Sequence, residues 1–190
     1  MNEMRNSNMN NKQMLEECLD HIVTYLENGS HWHRQMAGEL RKPALSLRGF
    51  SRWHECESKC DYCSIICIEK IARDKLDYDP QIKVDGIERA NSFMLNNAND
   101  FKNSFNIWIK NEEELVECLN HAIEYARAVD IQMYKELMGL ADEVQGEIMR
   151  ASMAYHRLAN GGFTGHDLYV VSTLLHNHFE KSDNLDFTLS

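Results

Sequence analysis

From Glu112 to Ala159 the chain repeats one pattern. Leu115, Leu119, Ala122, Ala126, Val129, Met133, Leu137, Leu140, Val144 and Ile148 follow one another at steps of three or four. That spacing returns an apolar side chain to one helix face at every turn and fits no strand. Unbroken, the segment would be a rod roughly 70 Å long. Gly139 and Gly146 make "MGLADEVQG" the expected turn or kink.

The rest of the chain follows suit. Residues 12–40 carry Met14, Leu15, Cys18, Leu19, Ile22, Tyr25 and Leu26 at helical spacing, with "NGS" at 28–30 as the expected break. A further helix runs from about Ala44 to Leu76, after Pro43 and before "DYDPQIKVDG". Residues 87–110 are ambiguous, and "ANGGFTGHD" separates the long pattern from a final short helix, "LYVVSTLLHNHFEK". With two prolines in 190 residues and almost no strand signal, the expected fold is all-α. The expected organisation is a disordered arm at 1–11, one helical-bundle domain at 12–182 and a polar tail at 183–190.

Four of six cysteines crowd into "HECESKCDYCSIIC": Cys56, Cys60, Cys63 and Cys67. On a helix they fall within an arc of about 60°, a single stripe expected to point inward. Core packing is the favoured reading, since free cysteine packs as a small hydrophobe. Soft-metal binding and redox use stay open. "ECLDHIVTYLE" at 17–27 and "ECLNHAIEYAR" at 117–127 also match in register, which suggests two related hairpins. Each presents a Cys-x-x-His pair, Cys18/His21 and Cys118/His121, able to assist Cu⁺ or Zn²⁺ on the stripe.

Charge and hydropathy narrow the function classes. A net charge of −10 opposes a phosphate-tracking nucleic-acid binder. No run approaches a membrane span and no secretory segment is visible, so thiols in a cytoplasmic setting are expected. His31 and His33 flank Trp32, but two residues apart they do not face one way on a helix, and they read as incidental.

"ALSLRGFSRWHECES" resembles the start of the second helix of ferritins. "HRLANGGFTGHDLYVV" resembles the end of their fourth helix and their short fifth helix. The resemblance implies a ferritin-like four-helix bundle with a long crossover, here 77–110, and a short C-terminal helix. It also implies a homo-oligomer and iron held by carboxylates and imidazole. Carried over by position, Glu27 falls near the first-helix ligand and Asp61 takes the first second-helix place, with Ser64 where histidine is required. Aligning on "HE" instead gives Glu57-x-x-Cys60. Glu124 serves for the third helix, and Glu143, Gln145 or Glu147 for the fourth. The cysteine helix also resembles a fragment of the cysteine-lined bundles that store cuprous copper. The leading expectation is therefore iron handling through Glu27, Asp61, Glu124 and Glu147. The alternatives are Cu⁺ or Zn²⁺ on the cysteines, and an interaction module whose acidic face meets a partner.

Overall fold

A computed structural model describes residues 2–43, 45–83, 95 and 98–186, with backbone only for 2–9, 98–99 and 178–186. Among these, the chain forms helices and no strand: α1 (Asn2–Arg41), α2 (Arg48–Leu76), α3 (Ala98–Val129), α4 (Ile131–Asn160) and α5 (Gly165–Asp186). α1 packs along α2 and α3, α3 along α4, and α5 against α2, while α2 and α4 scarcely touch.

Several boundaries differ from expectation for identifiable reasons. α1 begins at Asn2 and runs through "NGS" without a break. There Ser30 Oγ donates to the Ser58 carbonyl and Ser58 Oγ to the Ser30 carbonyl, both at 2.9 Å. Beside them, a Cβ on Gly29 would come within 3.1 Å of Asp61 Oδ2. Small residues thus let α1 lie close on α2, and that tertiary contact overrides the local turn preference.

The long pattern does divide into two helices, but at Asp130 rather than at the glycines. Asp130 is extended (φ −151°, ψ 126°), and its carboxylate accepts the backbone N–H groups of Gln132 and Met133, both at 2.9 Å. That is an N-cap, which starts α4 and reverses the chain. α3 already begins at Ala98, so the crossover is 77–97, shorter than the expected 77–110. Its first residues are strapped to α1: the Tyr78 hydroxyl donates to Asp20 at 2.6 Å, and the Lys83 N–H to Thr24 Oγ1 at 2.9 Å. Most of 84–97 lies outside the described residues.

The buried apolar side chains form two clusters. One holds Leu15–Leu26 of α1, the C-terminal half of α2, the C-terminal half of α3 and the N-terminal half of α4. The other holds Trp32–Leu40, Phe50, Trp53, Phe101–Trp108, Ala151 and Leu158, with Leu168 and Val171 of α5. Every bundle helix crosses from one cluster to the other. At each crossing it carries a buried polar residue.

Candidate metal centre

The crossing residues are His33 on α1, His54, Glu57 and Asp61 on α2, Glu112 on α3 and Glu147 on α4, all at most 7% exposed. Each stands in phase with the apolar stripe of its own helix. Glu112 follows Trp108 by four and precedes Leu115 by three, and Glu147 lies three past Val144 and four before Ala151. The helical register that buries those apolar residues therefore buries the acids too. The result is a polar layer at mid-bundle.

One ligand atom each from His33, Glu112 and Glu147 lies within 4.8 Å of the other two. Metal–ligand bonds of about 2.1 Å allow donor separations up to about 4.2 Å, so closing on one ion asks only small side-chain rotations. His33 Nδ1 and His54 Nδ1 are 2.8 Å apart, so one donates and the other accepts. When His33 donates, its Nε2 lone pair faces Glu147 Oε1, 3.7 Å away. Such a partner on the far nitrogen fixes the tautomer of a ligating imidazole. All three tryptophans of the chain surround the pair. Trp32 and Trp108 approach His33 at 5.0 and 5.1 Å between ring centres, and Trp53 stacks on His54 at 6.5 Å. The Trp108 indole N–H also donates to Glu147 Oε1 at 3.0 Å, and that of Trp53 to Glu57.

Electrostatics follow from burial. Burial first, then neighbouring His54, lowers the pKa of His33 well below the ordinary imidazole range, and burial lowers His54 to about 3. Both rings are neutral, the form that ligates metal. Asp61, Glu112 and Glu147 are all raised, by burial first and then by one another and Glu57. Glu57 is raised by burial as well, partly offset by Trp53 and by Arg150, whose guanidinium lies 3.8 Å away. Three buried ligand atoms, His33 Nε2, Asp61 Oδ2 and Glu112 Oε2, have no hydrogen-bond partner. Buried polar atoms of this kind are normally satisfied.

Of the residues the sequence singled out, Asp61 and Glu147 stand in this layer. Glu27 does not. It is half-buried, and it follows the fully buried Leu26, so it points about 100° away from the interior, while His33 occupies the inward place. Glu124 lies exposed on α3, twelve residues beyond Glu112. The signal that marks His33 in the sequence is its place on the apolar stripe of α1, one residue past Trp32 and three before Met36, and not its spacing from His31.

The cysteines are not the core stripe they were expected to be. Cys60, Cys63 and Cys67 are exposed and Cys56 is half-buried. The inward face of α2 is taken instead by Phe50, Trp53, Glu57, Asp61, Ile65 and Ile68. Cys18 and Cys118 are half-buried against the first apolar cluster, and His21 and His121 are exposed, so neither Cys-x-x-His pair turns into the bundle. The repeat keeps its meaning in packing: Leu19 and Leu119, and Ile22 and Ala122, are equally and completely buried.

Two solved structures of an open pore ferritin from the hyperthermophilic archaeon Archaeoglobus fulgidus superpose on this chain with TM-scores of 0.68 and 0.70. Each covers 85% of this chain and 94% of the ferritin at 16% identity. The fold is ferritin-like. No known protein family matches by sequence profile, and no curated protein matches by sequence. Among the described residues no helix is long and apolar enough to cross a membrane.

Proposed function

We propose that the mid-bundle layer binds a divalent transition metal, with iron as its natural cargo. His33, Glu112 and Glu147 hold the ion, and Asp61 and Glu57 supply neighbouring carboxylates. The observation that carries this reading is the convergence of His33, Glu112 and Glu147 from three different helices within 4.8 Å, with His33 Nε2 and Glu112 Oε2 buried and without a hydrogen-bond partner. Imidazole with carboxylates is a donor set for iron or zinc, whereas calcium and magnesium prefer all-oxygen sites. A cation also offsets the burial and the mutual repulsion that raise the pKa values of these carboxyls. Self-association belongs to the same proposal, because ferritin-like bundles bury helix faces against copies, and Tyr62, Ile66, Met149 and Met153 are exposed.

The test is an anaerobic titration with Fe²⁺, followed by tryptophan fluorescence and elemental analysis of desalted protein. With every tryptophan around the centre, stoichiometric binding quenches the emission. Glu147→Gln and His33→Ala lose both the quench and the retained iron. Wild-type protein that neither quenches nor retains iron would refute the proposal. Native mass on the same samples measures self-association.

A further inference from the structure

The proposed centre is buried, so an ion needs a route to it. α1 closes on α2 and on α3, and α3 closes on α4. The remaining side, between α2 and α4, is open, and a groove of about 790 Å³ runs along it. Cys60, Cys63 and Cys67 line the groove from α2, and Glu143 lines it from α4.

The inner end of this groove abuts the centre. Cys60 lies three residues past Glu57 and directly before Asp61, and Glu143 lies one turn before Glu147. Residues three and four apart are neighbours on a helix surface. The Cys60 sulfur accordingly sits in the field of Glu57, Glu143, Glu147 and Asp61 together. Lys70 and Lys75 line the outer groove beside Asp74 and Glu136, and Lys59 directly precedes Cys60, so the groove is no simple electrostatic funnel for cations. Selection at its inner end must then come from ligand chemistry.

We propose that the α2–α4 groove is the route by which a divalent transition-metal ion reaches the buried layer, and that Cys60 and Glu143 form a capture site at its inner end. This inference rests on the reading of the layer as a metal centre. On capture, a metal–sulfur bond forms as the Cys60 S–H bond breaks, and the proton leaves to solvent. No electron moves. The ion passes next to Glu57 and Asp61, and the thiolate regains a proton. Sulfur favours iron, cobalt and zinc over magnesium and calcium, which gives the route selectivity before the ion reaches the centre.

Co²⁺ is the probe. Anaerobic stopped-flow mixing of the full chain with Co²⁺ follows the near-ultraviolet sulfur-to-cobalt charge-transfer band and the tryptophan quench together. Wild-type protein gives an early sulfur band followed by the quench, while Mg²⁺ in excess leaves the rate unchanged. Cys60→Ala/Glu143→Gln replaces two exposed side chains, so folding is not at risk. In it the sulfur band is absent and loading slows about tenfold or more, on the scale by which metal sites respond to loss of a supporting group. The final stoichiometry is unchanged. An unaltered loading rate in this variant overturns the route and leaves the metal centre standing. A sulfur band in wild type with no subsequent quench overturns both the route and the reading of the centre, and the Cys60 capture site stands only if that band is lost in the variant. No binding of any kind overturns all three.

Discussion

At the scale of single residues, the centre sets binding against stability. Asp61, Glu112 and Glu147 are buried beside one another, and burial and mutual repulsion raise all three pKa values. Neutralising one of them relieves that repulsion. Asp61→Asn is expected to stabilise the metal-free protein by about 0.5–2 kcal/mol, the range typical when a functional strain is removed. The same variant should bind Fe²⁺ or Co²⁺ about 10–100-fold more weakly. Thermal melts and equilibrium titration check the two halves, and an Asp61→Asn protein that is destabilised yet binds normally would contradict both. The sign of the pH response follows too. Carboxyls with raised pKa make the folded chain hold more protons than the unfolded one, so their contribution to metal-free stability falls as pH rises above the ordinary carboxylate range. His33 and His54 act oppositely, since their lowered values let stability rise with pH up to the ordinary imidazole range. Metal displaces the carboxyl protons. The melting-point gain on adding Co²⁺ is therefore expected to grow from about pH 5 to pH 8, and a gain independent of pH would speak against carboxylate ligation.

At the scale of elements, helix boundaries depend on a few contacts. Asp130 caps α4 with two hydrogen bonds, and Asp130→Ala should cost about 1 kcal/mol, read as a lowered melting point with unchanged metal stoichiometry. Gly49 is stricter. A Cβ there would lie 1.7 Å from the Ser172 backbone oxygen, where the Gly49 N–H donates to Ser172 Oγ at 3.0 Å. Gly49→Ala is expected to lift α5 off α2, with faster proteolysis within α5 as the measurement. The all-α bundle was legible because the steps of three and four run through nearly every element. The boundaries were less so: Asn-Gly at 28–29 reads as a turn until the α1–α2 contact at Ser30 and Ser58 is known, and Asp130 looks like one more surface acid until it is a cap. The centre was half legible. Asp61 and Glu147 came from an alignment to ferritins, but His33, Glu57 and Glu112 had their own signal, a polar residue in phase with its helix's apolar stripe. The cysteines misled because an arc of thiols fixes a common direction, and only the larger apolar stripe beside it decides which direction is inward.

At the scale of the whole molecule, two apolar clusters are joined by one polar layer to which all four bundle helices contribute. In that layer burial and neighbouring carboxyls raise the pKa values of the acids, and three ligand atoms lack hydrogen-bond partners. An ion ligated by His33, Glu112 and Glu147 ties α1, α3 and α4 at one point, and Asp61 brings in α2. Binding to the folded state alone stabilises it by about 2.7 kcal/mol at a free-metal concentration a hundred times Kd. For a chain of this size that corresponds to a melting-point rise of about 5–10 °C. The rise should disappear on chelation and be absent from Glu147→Gln. Hydrogen exchange gives the spatial counterpart. Metal should slow exchange most around residues 30–33, 57–61, 112 and 147, and least near Leu15 and Leu40, which lie towards the opposite ends of the bundle. Protection spread evenly along the helices, or a melting-point rise retained in Glu147→Gln, would place the ion elsewhere on the chain.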